Sequence, residues 1–198
     1  MRTILTVLLL AILIAPLARG QSPLVAGVAP VLEAGVGYSY VDAGVPSQNS
    51  LGMNGLLLNG TADFSRRFGI HLDLGYSRSF DAFTSGHSAD MLTYMAGPVF
   101  YPVRKRNWNV YTHALLGGAR ETGVNFESDG QILFGYVNRF AWAGGAGFQY
   151  RLTRSLAVRV GADYLRTSFF NSNVALQGQS NLRSSASLIY TFGEGRER

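Results

Sequence analysis

Cysteine is absent from this 198-residue chain. Without a thiol there is no disulfide staple and no thiolate metal centre, so stability has to come from packing or from closure of the backbone ladder. Lysine is almost absent, Lys105 being the single example, whereas a soluble domain normally covers itself with Lys and Glu. Three histidines and no dense cluster of ligating residues give no expectation of a metal site, and nothing in the pattern calls for another cofactor. No ten-residue run spaces its apolar residues as a helix would. The glycine runs GGAR and AGGAGF do not lead from a strand into a helix, which excludes phosphate-binding loops.

The N-terminal stretch MRTILTVLLLAILIAPLARGQ carries Arg2, an apolar run from Ile4 to Leu17, and small residues at Ala18 and Gly20. It reads as a cleavable secretory signal over residues 1–20, with the mature chain starting at Gln21. Pro16 interrupts the run and leaves it short for a retained helical anchor, and no cysteine follows for acylation. Residues 21–198 then suit one domain. Loss of Arg2 and Arg19 leaves fifteen basic and twelve acidic residues, an excess too small to argue nucleic-acid binding.

What the chain has in abundance is glycine, 24 residues, together with ten Tyr and twelve Phe. Much of it falls in a period-two pattern. In FGIHLDLGYS, Phe68 to Ser77, the even positions Phe68, Ile70, Leu72, Leu74 and Tyr76 are apolar, while the odd positions include His71 and Asp73. A strand there has one greasy and one polar face. Seven further segments alternate: Val31 to Val41, Asn54 to Ser65, Ala89 to Val103, Trp108 to Arg120, Arg139 to Leu152, Ser155 to Thr167 and Leu182 to Phe192. Met91, Met95 and Val99 spoil the contrast in the fourth. The fifth is nearly as unclear, and His113 is assigned to its polar side because an unpaired His facing lipid is costly.

Connections between the segments alternate in length. Arg66 to Arg67, Arg104 to Asn107 and Thr153 to Arg154 are short; Asp42 to Met53, Arg78 to Ser88, Glu121 to Asn138 and Ser168 to Asn181 are long and polar. An even-numbered meander with one tight rim and one elaborate rim is the pattern of an outer-membrane barrel. The fold class predicted is all-β: an eight-stranded antiparallel up-and-down transmembrane β-barrel, apolar faces outward. Alternation alone leaves open a soluble sandwich or lipocalin with its apolar face inward. Loop asymmetry, the export signal and the scarcity of Lys favour the inverted arrangement, and aromatics near strand ends suit interfacial girdles.

Three stretches resemble a known family: MAGPVFYPVRKRNWNVYTHALLGGAR (Met95 to Arg120), AWAGGAGFQYRLTRSLAVRVGADYL (Ala141 to Leu165) and the last strand through YTF. They are similar to the small eight-stranded outer-membrane β-barrel proteins, such as the transmembrane domain of OmpA. The closing SLIYTF resembles the C-terminal barrel signal of that family, with Tyr190 and Phe192 in its aromatic positions, although GEGRER follows where the family pattern ends. The resemblance implies the outer membrane of a Gram-negative cell, contact with its lipid and lipopolysaccharide, and insertion by the barrel-assembly machinery. It also implies a monomer with both ends periplasmic and four long loops outside. One fold hosts many roles. A structural or surface-interaction role is expected first, a narrow porin-like channel for small solutes second, and a lipid-modifying barrel enzyme third.

Inverted faces put Glu33, Asn59, Asp63, His71, Asp73, His113, Gln149, Arg159, Asp163 and Arg183 in the lumen. Eight strands enclose room for side chains and little else, so these groups are expected to pair as a structural polar core. Arg159 and Asp163 are four residues apart on one strand face, about 13 Å along it, so each is expected to pair with a neighbouring strand. No residue qualifies as catalytic. His87 and Ser88 in SGHSAD set a base beside a nucleophile, as in a barrel lipid deacylase, but no acidic orienting partner can be assigned. Arg66, Arg67, Arg104, Lys105, Arg106 and Arg154 make the short-turn rim basic. That rim serves solubility and anchoring, or more sharply contact with anionic lipid heads.

Overall fold

The structure, a computed structural model, describes residues 30–44, 50–82, 87–126, 132–167 and 179–192. The expected signal segment and the GEGRER tail lie outside the described residues. Eight strands follow in chain order: β1 (Val31–Ala43), β2 (Leu51–Asp63), β3 (Phe68–Ser79), β4 (Ala89–Arg104), β5 (Trp108–Phe126), β6 (Ile132–Arg151), β7 (Leu156–Thr167) and β8 (Gln179–Phe192). Each pairs antiparallel with the next, and β1 pairs with β8 from Leu32↔Phe192 to Ala43↔Asn181, which closes the barrel.

The faces are inverted relative to a soluble sheet. Leu72 is 56% exposed beside Asp73 at 3%, and Leu182 is 55% exposed beside Arg183 at 2%. Thirty large apolar side chains are exposed among the described residues, far more than a water-facing surface tolerates. Closure removes the sheet edges, so the backbone polar groups are paired where hydrocarbon would leave them unsatisfied. Exposed aromatics form two belts. Phe64, Phe68, Trp108, Phe148, Tyr150 and Phe192 lie toward the short-turn rim, and Tyr40, Tyr76, Tyr94, Trp142 and Tyr164 lie toward the other.

Strand lengths depart from the sequence reading at the long connections. Glu121 to Asn138 reads as a loop, yet β5 and β6 run for 19 and 20 residues and stay paired from Trp108↔Tyr150 to Phe126↔Ile132. The connection shrinks to 127–131. Both flanks, ETGVNF and ILFGYVN, contain β-branched or aromatic residues, so two strands leaving the barrel together continue to ladder on each other. The other long connections shorten to 44–50, 80–88 and 168–178. At the tight rim β2 stops at Asp63 and β6 at Arg151, earlier than expected, and β7 starts at Leu156. There the hydrogen bonds Ser65 N to Phe68 O (3.1 Å) and Leu152 N to Leu156 O (2.8 Å) already belong to the turns.

The register of β4 and β5 shifts by one residue between Phe100 and Val103. Pro102 sits inside that interval and cannot donate to the ladder, which makes it a natural place for a bulge. Two glycines of AGGAGF make room for the interior. A Cβ on Gly145 would fall on the Asp163 carboxylate, and one on Gly147 would fall on the Tyr111 hydroxyl.

Candidate functional site

Two guanidinium groups cross the bore. Arg183 on β8 is buried and donates Nη1 to Asp73 Oδ1 at 2.8 Å and Nη2 to Asp73 Oδ2 at 2.8 Å, a forked pair reaching β3. It also donates Nε and Nη2 to Asp163 Oδ2 on β7, at 2.8 and 2.6 Å. Since β3 and β8 are not neighbours in the barrel order, the Arg183–Asp73 bond spans the lumen. Arg159 on β7 donates to Glu33 Oε2 on β1 (2.7 Å), to Gln149 Oε1 on β6 (2.8 and 2.6 Å) and to Thr61 Oγ1 on β2 (3.2 Å). Glu33 Oε1 further accepts from Gln149 Nε2 (3.1 Å) and Thr191 Oγ1 (3.4 Å).

Arg159 and Asp163 each bond to a neighbouring strand, Arg159 to Gln149 on β6 and Asp163 to Arg183 on β8. Arg159 reaches further, to β1 and β2, because an arginine side chain is long enough to bridge so narrow an interior. Both charges are buried with several partners each, the arrangement that makes buried ions tolerable.

His71 Nδ1 lies 3.0 Å from Thr61 Oγ1. Its ring stacks on that of His113, centroids 5.3 Å apart and 6° from parallel. His113 Nε2 in turn lies 2.9 Å from Asp163 Oδ1. His71 and Asp73 share a face yet engage different partners, and among the described residues no group of three or more His, Cys, Asp or Glu could hold a metal ion. A polar cavity of about 10 Å³ is lined by residues including Asn59, His71, Asp73, His113, Arg159 and Asp163. It has room for about one water molecule.

Asp63 stands at the short-turn mouth, ion-paired with Arg104, whose guanidinium lies 4.0 Å from the centroid of the Tyr101 ring. Arg104 thus directs its charge to Asp63 in the mouth, apart from the exposed basic rim with which the sequence grouped it. Tyr101 and Tyr111 are interior residues that the sequence reading missed. A signal for Tyr111 was present: assigning His113 inward carries Asn109 and Tyr111 inward by the same period of two. Glu121, read as a loop residue, is buried on the inner face of β5.

From the level of Arg183 to the long-loop rim, Val41, Met53, Met91, Met95, Leu115 and Leu165 pack as one apolar cluster, with Glu121, Thr167, Gln179 and Asn181 also buried at that end. The lumen ion pairs therefore sit in the short-turn half and the middle of the lumen. Met91, Met95 and Val99, which obscured the fourth strand, all point inward. Tyr190 and Phe192 lie on the outer face at the end of β8, ring centroids 5.0 Å apart and edge to face. Ser88 Oγ accepts a hydrogen bond from Arg78 at 3.0 Å, and Arg78 is paired with Asp90. The guanidinium at that oxygen is a donor and not the base that a nucleophilic serine needs.

A closed meander of eight strands, greasy outside and ion-paired within, is an integral membrane β-barrel of the outer-membrane type. The chain belongs to the outer membrane protein beta-barrel domain family, whose model matches residues 5–192. No curated protein sequence matches the chain. Among solved structures, Ail, the attachment invasion locus protein of Yersinia pestis, aligns with TM-score 0.59 and 18% identity over 83% of this chain and 100% of that one. Neisserial surface protein A aligns with TM-score 0.58 and 12% identity over 82% and 97%. OprG of Pseudomonas aeruginosa aligns with TM-score 0.55 and 14% identity over 84% and 97%. At these identities the likeness is one of fold.

Proposed function

We propose that this outer-membrane barrel is a structural and surface-interaction protein that meets its partners with the long-loop rim while its bore stays closed. The observation that carries the reading is the pair of guanidinium crossbars, Arg183 to Asp73 and Arg159 to Glu33, backed by the apolar cluster above them. A solute passing through would have to break both. The reading includes export by the 1–20 signal, a monomer with both ends periplasmic, insertion by the barrel-assembly machinery through Tyr190 and Phe192, contact with lipopolysaccharide, and no catalytic residue.

Ail was solved in complex with the heparin analogue sucrose octasulfate. The described long-loop side carries Asp42, Asp81 and Asp90 beside Arg78, Arg120, Arg139 and Arg166, with Arg78 paired to Asp90. A rim of mixed sign offers no block of one charge to a polysulfate and suits partners with polar groups of both signs. The β5–β6 hairpin, with Tyr136 and Phe140 exposed on it, offers the aromatic surface such a contact uses.

Planar-bilayer recording of the refolded protein tests the closed bore. No unitary current steps are expected; reproducible steps that persist when the long loops are trimmed would move the reading to the small-solute channel.

A further inference from the structure

The chain's positive excess is concentrated at one end. At the short-turn rim, Arg66, Arg67, Lys105, Arg151 and Arg154 are exposed, and the one acid described there, Asp63, is buried and paired with Arg104. The long-loop rim mixes both signs, Asp42, Asp81 and Asp90 beside Arg78, Arg120, Arg139 and Arg166. Neutral solubility would not need this segregation, because charges of both signs serve it.

The three tight turns that carry these cations are tied to one another. Tyr101 N donates to Arg67 O at 2.9 Å, and Arg104 Nη1 donates to Arg66 O at 3.3 Å, which fastens the β2–β3 turn to the end of β4. Arg151 N donates to Asn107 O at 2.7 Å, which fastens the β4–β5 turn to the end of β6. The backbone positions that carry the cations are thereby held as one arc from β2 to β7, and a braced frame loses less entropy on binding than separately moving turns. Directly beneath the arc lies the aromatic belt, with Phe68 and Phe100 rings 5.0 Å apart and Trp108 stacked on Phe148 at 5.8 Å.

We propose that this arc is a binding surface for anionic glycerophospholipid headgroups of the periplasmic leaflet: the guanidinium and ammonium groups of three interlocked turns take the phosphodiester and headgroup charge, and the belt beneath takes the acyl chains. Continuity with that belt assigns the arc to a lipid in preference to a soluble polyanion. Arginine suits phosphate because its planar fork donates in pairs.

Trp108 sits at this rim and Trp142 at the other, and they are the two tryptophans of the chain. The full-length Trp142→Phe protein, folded into phosphatidylcholine vesicles containing brominated phosphatidylglycerol, therefore reports on the arc through quenching of Trp108. The bromolipid is expected to quench Trp108 several-fold more than its mole fraction accounts for, and high salt should erase the preference because exposed charges are screened at that ionic strength. Substituting Arg66→Gln, Arg67→Gln, Lys105→Gln and Arg154→Gln together should abolish it, with heat-modifiable gel migration confirming a closed barrel. The reciprocal Trp108→Phe protein, read through Trp142, should show no preference. Equal quenching of Trp108 by brominated phosphatidylglycerol and brominated phosphatidylcholine in the unsubstituted rim overturns the proposal. So does binding of soluble polyphosphate without any lipid preference, which would give the arc to a periplasmic polyanion.

Discussion

Arg183 is the residue on which the interior leans most. It holds two carboxylates on opposite walls; without it Asp73 loses its forked ion pair and Asp163 keeps the His113 contact but not its cation. Arg183→Met is predicted to destabilise the barrel by about 3–5 kcal/mol, the usual cost of breaking a buried pair from one side. Urea unfolding from lipid vesicles measures this, and a loss below about 1 kcal/mol would mean that the charges behave like solvated surface ions. Adding Asp73→Leu and Asp163→Leu to Arg183→Met should recover most of the stability, since apolar packing replaces a buried ion set at little net cost. Which charges face inward was readable for Glu33, His71, Asp73, Arg159, Asp163 and Arg183, because alternation around them is sharp and a period of two has one parity. Which of them bond to each other was not. Partners across the lumen depend on closure and stagger, which no local pattern encodes.

At the level of elements, each strand has a lipid side and an interior side, and the cost of a charge depends on depth. Leu72→Arg, near the middle of β3, is predicted to cost about 2–4 kcal/mol, whereas Leu152→Arg at the tight rim should cost about 1 kcal/mol or less. The same unfolding titration distinguishes them; equal costs would argue against a hydrocarbon slab around the strands. All eight strands were legible from alternation, and the turns between them from their length. The extension of β5 and β6 was not, because Glu121, Thr122 and Gly123 look like loop chemistry and only mutual pairing makes them strand. The β4–β5 register was equally hidden: a one-residue bulge beside Pro102 changes the pairing without changing the inward parity of Met91, Met95 and Tyr101.

For the whole molecule the governing feature is inversion: a closed sheet that turns its large apolar side chains outward and keeps its charges bonded to one another inside. Sequence pattern alone left this open against a soluble sandwich, since both alternate. The exposure of Leu72 beside the burial of Asp73 decides between them within two residues. Methyl-labelled protein in lipid nanodiscs gives the most direct measurement, through magnetisation transfer from the acyl chains to individual methyl groups by NMR. Transfer is predicted to Leu72, Val158 and Leu188 and not to Leu115, Leu165 and Ile189. Transfer to the second set and not the first would contradict the account.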